Sequence, residues 1–196
     1  GNCNDMIVAS DGGAYIGNFG FDIHSAQATP ALATLIYVSP DGTVSAAAEM
    51  MNFPNGSVIV DATSTQTNAS TATKTLIVAE SMAHCLTAFD IADDGTLSNR
   101  RIWADLGRQQ QGLGHRAITP DGIAADKDGG IWVATVSNAL VKVIEGGEII
   151  QRIEFDQVVI ACEVAEDGSL YVCTTAHLTP AECIKYQSAR IERVIF

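Results

Sequence analysis

The chain has 196 residues, of which 47% are apolar and 17% charged, a composition typical of a globular protein with one substantial core. Its 23 acidic and 11 basic side chains give a net charge of −12, which disfavours nucleic acid and anionic membrane surfaces as partners. No apolar stretch approaches the roughly 20 residues that a membrane-spanning helix needs, and the opening residues lack the apolar segment of a secretory signal.

Asp-Gly and Gly-Gly pairs between short alternating apolar stretches predict β-hairpins along the whole chain. Three of these hairpins share one form, with turns at Asp11-Gly12, Asp128-Gly129 and Asp167-Gly168 and an aromatic or apolar outgoing strand. The predicted strands cover residues 6–9, 14–18, 35–39, 43–47, 57–61, 75–80, 85–91, 97–104, 122–125, 131–135, 140–144, 149–155, 158–164, 169–174 and 190–196. One short helical turn is predicted at residues 181–188.

Pairs of consecutive hairpins predict four-stranded sheets that repeat along the chain. They divide a single partial domain into blades at residues 2–53, 54–106 and 120–156 and an incomplete fourth at 158–196. Such repetition is typical of an all-β propeller, whose blades pack around a central channel. A solenoid is the alternative, although its repeats are usually shorter. Residues 62–74 and 108–119 lack apolar alternation and are predicted to be surface loops.

The five cysteines include no Cys-x-x-Cys pair and no metal-binding spacing. Cys162 and Cys173 would face each other if the turn at Asp167-Gly168 had two residues. A disulfide between them is one possibility, and the alternative that we favour is that both are small buried strand residues. Free thiols in turn indicate a reducing compartment, and we expect a cytoplasmic protein.

Three polar clusters stand where innermost strands are predicted to begin: Asn4-Asp5, Pro54-Asn55-Gly56 and Pro120-Asp121-Gly122. In a propeller these positions converge at one end of the central channel. Amide and carboxylate oxygens that meet there are hard ligands, suited to Ca²⁺ or Mg²⁺ and tolerable for Mn²⁺ or Zn²⁺. Pro-Asn-Gly and Pro-Asp-Gly also form simple turns, so the hypothesis that they are turns only stays open.

Seven segments form an ordered set along nearly the whole chain: residues 3–6, 14–22, 53–56, 76–80, 89–95, 97–101 and 120–123. As a set they resemble the SMP-30/gluconolactonase/luciferin-regenerating-enzyme family. The resemblance implies a six-bladed β-propeller, of which about three and a half to four blades are present here. It also implies one divalent cation in the channel and hydrolysis of sugar-type lactones as the usual activity.

The resemblance implies a metal site and a catalytic residue at matched positions. Asn55 and Asp121 match metal-binding residues of the family, and Asp121 also matches its proposed general base. The cofactor expected from this match is Ca²⁺, with Zn²⁺, Mg²⁺ or Mn²⁺ as alternatives. His84 is also a matched position, but a single histidine without a partner at ligand spacing favours a structural role.

The resemblance also implies substrate contacts. Asn4 matches an asparagine that touches the substrate or a metal-bound water, and Asp5 is its neighbour in that motif. Asn18 and Glu80 are taken to end inner strands of matched segments and are expected to line the substrate pocket. The predicted partner is therefore a small-molecule lactone.

The chain departs from the family pattern in two places. It lacks the Glu-Gly-Pro segment that carries the family's first metal-binding glutamate, and its last strand lacks the partner that closes the ring. One hypothesis is a metal-dependent lactonase, seen here as a C-terminal part and completed by a further segment or a second chain. The alternative is a non-catalytic truncated propeller that self-associates. A weaker third hypothesis keeps the propeller and replaces the chemistry with that of another ester or a non-hydrolytic condensation.

Overall fold

A computed structural model describes residues 2–61, 74–107 and 117–196. The loops predicted at 62–74 and 108–119 therefore lie largely outside the described residues. Four antiparallel sheets and one short helix make up the regular structure of the described ranges, in the arrangement of a propeller. The predicted all-β class and the blade architecture are thus confirmed. None of the helices in these ranges is long and apolar enough to cross a membrane.

The sheets follow one another in chain order, and each blade uses consecutive strands. Blade 1 consists of β1 (Cys3–Val8), β2 (Ala14–Asn18), β3 (Ala33–Val38) and β4 (Val44–Met51). Blade 2 consists of β5 (Pro54–Asp61), β6 (Lys74–Glu80), β7 (Cys85–Ile91) and β8 (Leu97–Asp105). Blade 3 consists of β9 (Ile123–Ala125), β10 (Ile131–Ala134), β11 (Ala139–Val143) and β12 (Ile149–Glu154). Blade 4 has three strands, β13 (Val158–Val164), β14 (Leu170–Thr175) and β15 (Arg190–Val194), with α1 (Pro180–Tyr186) between the last two.

The tight hairpins have three-residue loops, one residue longer than the two-residue turn that would place Cys162 opposite Cys173. In the last of them, Ala165 N donates to Ser169 O and Gly168 N donates to Ala165 O, both at 2.9 Å. Gly168 has a φ of 83°, the left-handed conformation of a type I turn that ends in a bulge. The added residue shifts the register, so Cys162 pairs with Val172 instead of Cys173. The two-residue assumption is wrong, and all five cysteines are free thiols.

Apolar side chains fill the space between neighbouring blades. Along β6, Leu76 and Val78 pack toward blade 1, whereas Ile77 and Ala79 pack toward blade 3. The strand is therefore buried on both faces, which explains its continuous apolar sequence. A third cluster, around Trp132 and Leu140, joins blade 3 to blade 4. The blades are thus held as one arc by three apolar interfaces.

Glycines let the innermost strands approach each other closely. A Cβ atom on Gly56 would lie 2.5 Å from Asp121 O, and one on Gly122 would lie 2.7 Å from Ala161 Cα. Gly56 N also donates to Asp121 O across the two blades, at 3.2 Å. Asn55 and Asp121 each precede one of these glycines and so occupy equivalent positions in adjacent blades. Residues 54–56 belong to β5 and residues 120–122 lead into β9, so both triplets lie at the start of innermost strands, and a role in metal binding stays a prediction.

Candidate functional site

Three acidic or amide side chains from successive innermost strands come together at one end of the channel. Asp5 belongs to β1, Asn55 to β5, and Asp121 lies just before β9. Burial, supported by the negative charge of Asp5 and opposed by a hydrogen bond with the Asn55 side chain, raises the pKa of Asp121 from 3.8 to about 6. Partial burial also raises the pKa of Asp5, although the residue as a whole remains exposed to solvent.

One atom of the Asn55 amide lacks a hydrogen-bond partner among the residues that the structure describes. The residue is only 6% exposed, and its Nδ2 donates to Ser81 Oγ at 3.1 Å. Its Oδ1 is buried and has no hydrogen-bond partner among the described residues. Leaving a buried acceptor unpaired costs about 1–3 kcal/mol, so this oxygen is suited to receive a donor or a cation.

The donor chemistry of this group fits a hard divalent cation. It offers the amide oxygen of Asn55 and the carboxylates of Asp121 and Asp5, which are the oxygen ligands that Ca²⁺ prefers. Within residues 2–61, 74–107 and 117–196, no three His, Cys, Asp or Glu side chains are grouped closely enough to hold a metal. The described part of the chain therefore supplies a partial ligand set in which an amide oxygen stands beside carboxylates.

Asn4 lies next to this group but uses part of its amide within the fold. Its Nδ2 donates to Pro54 O at 3.4 Å, which ties β1 to the first residue of β5. Asn4, Asp5, Asn55 and Asp121 are thus the predicted site residues that the structure brings to one region.

The side chains of Asn18 and Glu80 hydrogen-bond residues outside this group. The two residues end β2 and β6, the second strands of their blades, so each ends an inner strand as predicted. Asn18 donates from Nδ2 to Thr34 O at 2.6 Å and accepts from Gly20 N at 3.0 Å. It lines a groove of about 580 Å³ on the face of blade 1 that points away from blade 2.

Both oxygens of the buried Glu80 carboxylate are used within the fold. Oε1 accepts from Thr87 Oγ1 at 2.6 Å and from Arg100 Nη2 at 3.0 Å, and Oε2 accepts from Asn52 N at 2.6 Å. These contacts give Glu80 a structural role and lend no support to substrate binding. His84 is also structural, because its Nδ1 hydrogen-bonds Ile118 O at 3.0 Å.

Ser81 belongs to the site and was missed by the sequence analysis. It is 5% exposed, accepts from Asn55 and donates from Oγ to Pro120 O at 2.7 Å. Neither a motif nor a periodic spacing marks this serine in the sequence. Only its position between two blades identifies it.

Comparison with solved structures shows the same fold. A luciferin-regenerating enzyme is 16% identical over 98% of this chain and 60% of its own, with a TM-score of 0.73. The calcium-binding protein regucalcin of Agrobacterium tumefaciens is 17% identical over 96% of this chain and 59% of its own, with a TM-score of 0.66. A gluconolactonase of Xanthomonas campestris is 23% identical over 89% of this chain and 54% of its own, with a TM-score of 0.62. The chain thus spans at most 60% of the length of these proteins.

Sequence comparison identifies the family of the chain, whereas the solved structures show its fold alone. No curated protein matches the chain. A family profile described as the SMP-30/Gluconolactonase/LRE-like region matches residues 2–177, which is most of the chain. The chain therefore belongs to the SMP-30/gluconolactonase/LRE-like family.

Proposed function

We propose that this chain carries part of the cation-binding and catalytic site of a lactonase that acts on sugar-type lactones. The observation that carries the proposal is the buried Oδ1 of Asn55, which has no partner among the described residues and belongs to a side chain that interacts with the Asp121 carboxylate. Supporting it are the family membership and two neighbours of the same fold, one described as a calcium-binding protein and one as a gluconolactonase.

Asn55 Oδ1 and Asp121 would hold the cation, with Asp5 close to them. When bound, such a cation supplies Lewis-acid polarisation of a carbonyl group. In the cation-free chain Asp121 has a pKa of about 6 and is therefore ionised at neutral pH, and its carboxylate would accept a proton from water. The water oxygen bonds to the lactone carbonyl carbon, the ring C–O bond breaks, and Asp121 returns the proton to the departing ring oxygen. The product is a hydroxy acid.

Substrate orientation would fall to Asn4 and Asp5 on β1. Asp5 is close enough to Asp121 for its charge to raise the pKa of that residue, and Asn4 precedes Asp5 on the same strand. Both side chains carry oxygens that accept hydrogen bonds from sugar hydroxyls. A lactone bound there would contact side chains of three successive blades.

The test is cation binding by calorimetry, followed by hydrolysis of glucono-δ-lactone in a pH-stat. Chelator-treated protein is titrated with Ca²⁺, Zn²⁺, Mg²⁺ or Mn²⁺. We expect binding and turnover to depend on the cation and to be lost in Asn55→Ala. Asn138→Ala, at an exposed loop position between β10 and β11, is the matched control and should keep both. A folded wild-type chain that binds none of these cations would overturn the proposal.

A second candidate function, self-association, is supported by the open face of blade 1. This face is the side of the sheet turned away from blade 2, and its side chains include Met6, Val8, Ile16, Ile36, Val38, Val44 and Ala46. None of them is charged. Met6 is 55% exposed and Val44 is 65% exposed, so an apolar sheet surface faces solvent.

A second copy of this chain is the occupant that we propose for this face. Because the chain carries a net charge of −12, two copies repel each other over most of their surface. The open face of blade 1 is uncharged, so two copies can meet there without opposing carboxylates. Alternatively, a further segment or a different chain could complete the propeller at this face.

Sedimentation equilibrium tests the self-association. We expect wild-type dimers and a monomer for Ile36→Glu, since a carboxylate in the contact would remain unpaired. Ile102→Glu, at a 61% exposed position on blade 2, is the matched control and should remain dimeric. A monomeric wild type, or an Ile36→Glu dimer, would contradict the proposal.

A further inference from the structure

We propose that Ser81 is a positioning residue that determines which atom of the Asn55 amide is presented to a ligand. The inference rests on the proposed cation site for its functional consequence. Its basis is a chain of two hydrogen bonds, from Asn55 Nδ2 to Ser81 Oγ at 3.1 Å and from Ser81 Oγ to Pro120 O at 2.7 Å.

The direction of this chain follows from the chemistry of its end point. The Pro120 carbonyl carries no hydrogen and can only accept, so it takes the single hydroxyl proton of Ser81. Ser81 Oγ then has only lone pairs to offer to Asn55. The amide must therefore present an N–H group to Ser81, which turns Oδ1 away from it. This accounts for the buried Oδ1 that lacks a partner among the described residues.

Burial makes this arrangement stable. Ser81 is 5% exposed and Asn55 is 6% exposed, so water does not compete for the hydroxyl or the amide. Ser81 N also donates to Phe53 O at 3.1 Å, which holds the serine backbone against the segment that enters β5. The serine thus connects the strand that carries Asn55 to the residue preceding Asp121, and one hydroxyl couples two blades.

The arrangement also explains why an asparagine suits position 55. An aspartate has no N–H group for Ser81, and Ser81 could donate to it only by abandoning the Pro120 carbonyl. Without the serine hydroxyl, the Asn55 amide can rotate and place its N–H groups where a cation needs an oxygen. Groups that orient a metal ligand typically change affinity by roughly 10–100-fold when they are removed.

The test compares Ser81→Ala, Ser81→Thr and Thr87→Val. The last variant removes a fully buried hydroxyl from the same blade that donates to Glu80 and does not contact Asn55. In calorimetry we expect Ser81→Ala to lower Ca²⁺ affinity by roughly 10–100-fold. Ser81→Thr keeps the hydroxyl and should restore the affinity. Thr87→Val should lower the stability of the protein and leave its Ca²⁺ affinity unchanged. An unchanged Ca²⁺ affinity in Ser81→Ala would overturn the inference.

A second readout needs no cation. In chelator, the Asn55 side-chain amide of the wild-type protein should give two separate, slowly exchanging proton signals by nuclear magnetic resonance, because it is buried and hydrogen-bonded. Ser81→Ala should speed that exchange. An Asn55 amide that exchanges as fast as an exposed one in the wild type would overturn the inference, even if Ser81→Ala does not fold. A wild type that shows the protected amide but binds no cation would instead contradict only the proposed function.

Discussion

Replacing Asp121 by asparagine should stabilise the cation-free chain at neutral and alkaline pH. Burial and the charge of Asp5 raise the pKa of Asp121 from 3.8 to about 6, so the folded state favours the neutral carboxyl group. Stability from this residue is therefore greatest below pH 3.8 and decreases as the pH rises through about 6. The difference between these pKa values corresponds to about 3 kcal/mol, and partial solvent access lowers the expected effect to about 1–3 kcal/mol.

Urea unfolding in the presence of chelator measures this effect. We expect Asp121→Asn to exceed the wild type by about 1–3 kcal/mol at about pH 8 and to match it at about pH 4. The comparison uses the difference between the two proteins, because other carboxylates titrate over the same range. Asp41→Asn is the control of opposite sign, since hydrogen bonds from Ser39 and Thr43 lower the pKa of Asp41 to about 2. That variant should lose stability at about pH 8.

Two results would refute the reasoning on Asp121. One is a difference between wild type and Asp121→Asn that is the same at acid and alkaline pH. The other is an Asp121→Asn variant less stable than the wild type in chelator at about pH 8. Saturating Ca²⁺ should reverse the order, because the cation would stabilise only the protein that retains the carboxylate.

Three further predictions concern packing, Glu80 and the thiols. Gly56→Ala should lower the free energy of unfolding by about 2–3 kcal/mol, because its Cβ would lie 2.5 Å from the Asp121 carbonyl oxygen. Gly107→Ala, whose Cβ would meet no atom closer than 3.5 Å, should have little effect, and equal losses in the two variants would contradict the close approach. Glu80→Gln should cost about 2–3 kcal/mol in urea unfolding and leave lactone KM unchanged, whereas a raised KM with unchanged stability would support substrate binding. Thiol titration of the denatured, non-reduced chain should find five free thiols, and a count of three would indicate a disulfide such as Cys162–Cys173.

The sequence by itself determined the blade architecture. Apolar alternation and Asp-Gly turns act between residues close in the chain, so the hairpins and their order could be predicted without tertiary contacts. The same repetition placed Asn55 and Asp121 at equivalent positions, each at the start of an innermost strand, and the structure brings their side chains into contact.

Only the tertiary structure decided which partners the cysteines and the polar side chains have. The extra turn residue at Gly168 separated Cys162 from Cys173, a difference of one position that alternation does not reveal. Glu80 and Asn18 resembled pocket residues in the sequence, yet partners on neighbouring strands and loops use their polar atoms. Ser81 reaches Asn55 and Pro120 across 26 and 39 residues of chain. The first hydrogen bond depends on how strands pair within blade 2 and the second on how blades 2 and 3 pack, and no local pattern in the sequence encodes either of them.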